Sequence, residues 1–227
     1  NDFTIPKFNT KVNLLVELVD MAAQEHGNHF LVYKDIKKAN IIKQNSLRKF
    51  VLNKFASVNH QAYKSLSKEF WIKFIEMSKR LQANPEDLAK VIYSESAFDP
   101  KAMNIQGGKV IAKGLNQLTR IALPGIGMSM EQWENLENIS AEEQLNWVEK
   151  FFKGLDKLKG NKPWANATQL YVANFAPKYI PDAHNPNAVL YQGGTEEYNK
   201  NKGLDKDEKG FITAGDTLGD VTKVIDL

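Results

Sequence analysis

Apolar residues return every three or four positions through most of this chain, and that period commits it to packing amphipathic helices. Phe70, Phe74, Ile75 and Leu81 predict a helix over 67–81. Val12, Leu15, Val16, Val19 and Ala22 predict an earlier one, followed by a turn at Gly27-Asn28. A lysine-rich stretch, 34–54, then places Ile41, Ile42, Leu47, Val51 and Phe55 at a rougher helical spacing. Asn84 is a good N-cap, Pro85 suits the first helical position, and Glu86 and Asp87 favour the positive helix end. A helix is therefore expected from Pro85 through Ser94. Glycine, proline and polar residues take over from Phe98 to Gly114, with Lys109 to Ala112 as the best strand candidate. Leu115 to Ala122 is expected to form a short helix before the Pro124-Gly125 break. Ser140-Ala141-Glu142-Glu143 reads as a capping box, with Leu145, Val148, Phe151, Phe152, Leu155 and Leu158 along one side of the helix behind it. A last helix over 165–175 stops before Pro177. The class is mainly α.

Composition narrows what such a bundle can do. With 42% hydrophobic residues the chain can build a core without a metal or disulfide staple. It has no cysteine, which excludes a disulfide scaffold, a zinc–thiolate site and a cysteine nucleophile. Its apolar stretches fall short of the roughly 20 residues of a membrane span. The net charge of +3 is spread among acids and bases, a pattern that argues against a nucleic-acid partner and leaves an anionic polymer open. The opening Asn1-Asp2-Phe3-Thr4, without methionine, is what a mature, trimmed or excised piece would show.

The segment richest in chemistry is 85–100. Leu88, Val91 and Ile92 form its buried stripe, and Glu95 lies seven residues after Leu88 and three after Ile92, on the same face. A carboxyl group held there loses hydration, which raises its pKa toward the range of a general acid. The same spacing also fits an edge glutamate whose stem packs while its head reaches water. Asp99, the nearest second acid, precedes Pro100 and reads as a turn residue.

Beyond spacing, the order of motifs carries a resemblance. Glu95-Ser96 is followed by Asn104, Gly107-Gly108 and Gly114-Leu115-Asn116-Gln117-Leu118, then by Gln144-Leu145-Asn146-Trp147-Val148-Glu149 and by Leu170-Tyr171-Val172-Ala173-Asn174-Phe175-Ala176-Pro177. From about Phe70 to Asp216 this resembles the lytic transglycosylases, the soluble and goose-type lysozyme-like group, and in particular the branch found in bacteriophage particles. The resemblance implies a lysozyme-like domain over 66–198, with 1–65 as an N-terminal helical extension of unassigned role and 199–227 as a tail packed on the domain. It implies that Glu95 is the single catalytic acid and base, that Ser96 hydrogen-bonds it, and that Gln117, Tyr171 and Asn174 contact the sugar. Asn116 stands where the family usually has methionine or isoleucine, and Ala173 where many members have tyrosine; Tyr171 offers a ring one helical step earlier. The implied partners are peptidoglycan glycan strands and other virion or tail proteins, at a location in the virion or in the bacterial periplasm and cell wall, with no cofactor. A hydrolytic muramidase and a non-catalytic wall-binding virion protein are the alternatives on the same fold.

Smaller signals remain. Asp205 to Asp216 has the frame of a calcium loop, with Asp205, Asp207 and Asp216 at positions one, three and twelve and Gly210 at six. Lys209 occupies position five, where an oxygen is wanted, so the loop reads as a calcium motif that has lost a ligand. His26 and His29 flank a turn without a third ligand, and His60 and His184 are isolated. Gly107-Gly108-Lys109 lacks the spacing of a phosphate loop. Trp71, Trp133, Trp147 and Trp164 are expected in the core more than on a sugar.

Overall fold

The computed structural model describes residues 62–218, together with Ile42 and residues 45–49. The chain divides into two compact units, Asn1–Arg48 and Lys49–Leu227. In the first, Ile42 and 45–48 are helical; the expected helix over 12–22 and the histidines His26, His29 and His60 lie outside the described residues. The account below concerns the second unit.

Its helices begin where the caps place them. Helix α1 (Lys68–Arg80) starts at Ser67, whose hydroxyl accepts from the Phe70 N–H at 2.9 Å. Helix α2 (Pro85–Ser96) starts at Asn84, whose side chain accepts from the Glu86 N–H, with proline at its first turn. It ends at Ala97 and Phe98, two successive non-glycine residues in the left-handed region, with φ of 52° and 62°. Such backbone costs of order 1–2 kcal/mol per residue. Burial offsets it: the Phe98 ring is fully buried among Phe70, Trp71 and Phe74, with centroids 5.4–6.2 Å apart.

The irregular stretch after α2 folds as a three-stranded antiparallel sheet, β1 (Met103–Gln106), β2 (Lys109–Lys113) and β3 (Leu118–Thr119). Gly107 and Gly108, at φ 54° and 76°, form the two-residue hairpin turn between Gln106 and Lys109. The strand expected at Lys109 is therefore one of three. The short helix expected over 115–122 is absent. Gly114 at φ 76° and Gln117 at φ 45° reverse the chain into β3, and only Arg120–Ala122 coils, as a 3-10 turn.

Short helices α3 (Leu123–Ile126) and α4 (Met130–Glu134) lead to α5 (Ala141–Gly154), which opens with the capping box at Ser140 and Glu143. Leu145, Val148 and Phe152 are buried on its inner face, but α5 stops at Gly154, so Leu158 is exposed rather than part of that stripe. Helix α6 (Ala167–Phe175) starts at the N-cap Asn166. Strand β4 (Val189–Gln192), α7 (Glu196–Asn201), β5 (Phe211–Thr213) and α8 (Ala214–Thr217) complete the described chain. Strands β4 and β5 pair antiparallel, so the sheet joins the two sides of the expected boundary at 198. One apolar cluster unites Val172 and Ala176 of α6 with Leu190, Tyr191, Tyr198, Ile212 and Ala214. The fold is mainly α-helical. No helix among the described residues is long and apolar enough to cross a membrane.

Candidate active site

Glu95 occupies the last turn of α2, two residues before the cap at Ala97 that breaks the helix. Leu88, Val91 and Ile92 anchor its face in the core at 0% exposure, while Glu95 itself is only partly exposed. Burial pushes its carboxyl pKa up to about 7, and the hydrogen bond from Asn174 pulls the other way. The group is thus poised between acid and base near neutral pH.

Helix α6 packs against α2 and brings two side chains to the carboxyl group. Asn174 donates from Nδ2 to Glu95 Oε1 at 3.1 Å. Tyr171 lies close enough for the Glu95 charge to act on it; burial first, and that charge second, push its phenol up to about 12. Its hydroxyl bonds Ser94 and remains protonated at working pH. The spacing of Tyr171 and Asn174, one helical turn, puts both on the face toward α2.

A loop between β2 and β3 supplies the third side. Asn116, 3% exposed, forms a reciprocal amide pair with Asn174, Asn116 Nδ2 to Asn174 Oδ1 at 3.0 Å and Asn174 Nδ2 to Asn116 Oδ1 at 3.1 Å. The residue at the variant family position is therefore joined to the acid through one intermediary.

Ser96 and Gln117 serve this loop instead of meeting the acid. The resemblance implies that Ser96 bonds Glu95, but its Oγ donates to Leu115 O at 2.9 Å and lies 3.2 Å from Ile92 O. It is buried on the side of α2 that faces the loop, and it staples the two together. Gln117 spends its amide nitrogen on Gly114 O and Ala102 O at 3.0 and 3.2 Å, holding its own left-handed turn.

Gln144 opens one of the motifs behind the resemblance, but the sequence assigns it no role in the site. Fully inside α5 at 2% exposure, it accepts from Leu115 N at 3.0 Å and donates to Pro100 O at 2.7 Å and Leu136 O at 2.8 Å. One side chain so pins three segments together, at Pro100, Leu115 and Leu136. Gly114 makes room for it: a Cβ there would stand 2.6 Å from Gln144 Oε1. The available signal was a glutamine on the apolar side of a capped helix, one position before Leu145.

Asp99 accepts from the Lys101 N–H at 2.8 Å, the geometry of a turn residue. Trp71, Trp133 and Trp164 are core residues, and Trp147 is half-buried with the Lys150 ammonium 4.1 Å from its ring centroid. A wide groove of about 1040 Å³ runs beside Trp147 on the outer face of α5, and none of Glu95, Asn116, Tyr171 or Asn174 lines it. Its polar side chains largely serve each other: Glu149 takes Arg80 and Lys153, and Gln132 and Glu143 close capping boxes. His184 bonds Pro181 O through Nδ1 at the surface.

In the calcium-like loop, Asp205 accepts from Tyr198 Oη and from the Lys209 and Gly210 N–H groups. Lys209 places its ammonium 2.8 Å from both oxygens of Asp216, so position five answers position twelve with a covalently attached cation. Asp207 is exposed. No group of three or more acidic, histidine or cysteine side chains is arranged to hold a metal among the described residues.

Residues 73–150 match the family model described as Transglycosylase SLT domain. The match covers about a third of the chain; it includes Glu95, Asn116, Gln117 and Gln144 and ends before Tyr171 and Asn174. The match supports a mainly helical, lysozyme-like domain similar to the transglycosylases that act on peptidoglycan. Neither the curated proteins nor the solved structures returned a match.

Proposed function

We propose that this domain is a lytic transglycosylase that cleaves the β-1,4 bond between N-acetylmuramic acid and N-acetylglucosamine, with Glu95 as sole acid and base. The observation that carries the reading is a carboxyl group at a helix end, poised near pH 7 by burial and held by Asn174. Protonated Glu95 gives its proton to the glycosidic oxygen as the bond to C1 breaks. The muramyl 2-acetamido carbonyl assists at C1. The Glu95 carboxylate then takes the proton from the C6 hydroxyl, whose oxygen closes onto C1 as a 1,6-anhydro ring. The proton count balances, and neither water nor a cofactor is consumed. Asp99, tied into its turn, supports a lone acid over the paired carboxylates of ordinary glycosidases.

Ser96, Gln117 and Gln144 hold the loop that forms the site's wall, while Tyr171 and Asn174 present polar groups beside the acid. The glycan strand is the partner, and the cell wall or periplasm the place of action. The motif order that resembles the phage-particle branch supports service in local wall penetration, alongside virion or tail proteins. Mass spectrometry of fragments from purified peptidoglycan tests the reading. Anhydro-muramyl ends are expected from the native chain and none from Glu95→Gln. Reducing ends would assign a muramidase, and the absence of fragments from any wall type a binding role.

A further inference from the structure

Asn174 is the side chain that touches Glu95, yet its own place is fixed from elsewhere. An asparagine amide offers two N–H donors and one carbonyl. Asn174 gives one N–H to Glu95 and the other to Asn116, and its carbonyl receives the Asn116 N–H. Without Asn116, the amide of a partly exposed helix residue has a single anchor and is free to turn toward water.

We infer that Asn116 is a positioning residue that acts on the acid through Asn174, its reciprocal amide pair holding the Asn174 side chain within hydrogen-bond reach of Glu95. This rests on the reading of Glu95 as the acid. The geometry has a second property. Exchanging nitrogen and oxygen on both amides together keeps both bonds of the pair and turns the Asn174 carbonyl toward Glu95. The pair thereby suits the acid in either protonation state, as donor to a carboxylate and as acceptor from a carboxyl O–H. A methionine or isoleucine at the same position offers none of this. The donor bond to the charged form is the stronger of the two, so the pair favours the carboxylate on balance. Tyr171 of α6, a neutral phenol at working pH, is the other titratable group that faces Glu95 among the described residues, and it is unaltered by substitution at Asn116.

The test compares the native chain with Asn116→Leu, Asn116→Ser, Asn174→Ala and the Asn116→Leu/Asn174→Ala double variant. Two readouts are taken: cleavage of purified peptidoglycan across pH, and the titration of Glu95 followed by carboxyl-carbon NMR. Removing the partner should raise the Glu95 midpoint by about one pH unit. It should also lower kcat roughly tenfold with KM nearly unchanged, the signature of a role in the chemical step. If Asn116 acts through Asn174, Asn174→Ala gives a similar shift and the double variant no further one. Thermal melting identifies folded variants, and the serine variant decides the matter should leucine unfold the domain. A folded Asn116 variant with an unmoved Glu95 midpoint overturns the inference, as does a double variant whose shift is the sum of the singles. A native chain that releases no fragments refutes the catalytic reading instead, and the NMR titration still judges the amide pair.

Discussion

Replacing Gln144 with leucine keeps its size and removes every polar contact, and the structure sets the scale of the loss. The Leu115 N–H and the Pro100 carbonyl are left without a partner, and the Leu136 carbonyl loses the shorter of its two bonds. An orphaned buried group costs about 1–3 kcal/mol. The N–H belongs at the upper end, since Leu115 is 1% exposed and water does not reach it. Leu136 O retains a long bond from Ile139 N at 3.4 Å, which places it lower. Together the loss comes to about 3–5 kcal/mol, a large part of the roughly 5–15 kcal/mol that holds a domain together. Urea unfolding of the native and Gln144→Leu chains measures it directly. Gln144→Glu sharpens the test. Its carboxylate can accept from Leu115 but, once ionised, donates nothing to the two carbonyls. Burial opposite two carbonyls raises its folded pKa, so the folded state holds the proton more tightly and stability falls as pH rises through that value. A leucine variant within 1 kcal/mol of native, or a glutamate variant whose deficit is flat with pH, would falsify the role given to Gln144.

Cleavage should hold steady in acid and decline as pH rises through about 7, tenfold per unit beyond it, because the cycle starts from protonated Glu95; a pH–rate profile of kcat/KM reads this. The same group penalises folding: its pKa is raised from 4.5 to about 7, so stability is lost between those values and the loss is complete above them. Glu95→Gln should therefore be more stable than native at pH 8 by about 3 kcal/mol and equal to it near pH 4, as denaturant melts at the two pH values would show. Gly114→Ala forces a side chain into φ 76° and onto Gln144, and should cost about 2–4 kcal/mol in thermal or urea melts. Calcium should give no binding heat with the native chain in calorimetry, whereas Lys209→Asn, which exchanges the resident ammonium for an oxygen, should bind it at about 10⁻⁴–10⁻³ M.

Helix starts were legible because their signals are local. Ser67, Asn84 and Ser140 each cap the helix that follows them, and each bond spans only a few residues. Glu95 was legible for the same reason, its face being set by Leu88 and Ile92 on its own helix. Two kinds of feature were not. The run from Leu115 carries helix-forming residues, but two left-handed backbone positions, one of them the non-glycine Gln117, divert it into a strand. Strand β1 is exposed along its whole length, so no alternation marks it. The polar network was hidden by distance: Asn116 and Asn174 are 58 residues apart, and Gln144 reaches Pro100 across 44. A hydroxyl such as that of Ser96 has acceptors on both sides of it in sequence, and only the folded chain shows that Leu115 holds it.

The back of the helix that presents Asn174 is covered late. Val172 and Ala176 are sealed by Ile212 and Ala214, residues that follow them by some 40 positions and arrive on the far side of the β4–β5 pairing. A ribosome making this chain from the N-terminus therefore exposes α2 and its acid well before the wall behind α6 can close. Until Phe211–Thr213 has been synthesised and paired, α6 has an uncovered apolar side. The setting of the Asn174 amide is thus tied to residues 211–214, and a chain cut before them would carry Glu95 on α2 with the far side of α6 uncovered.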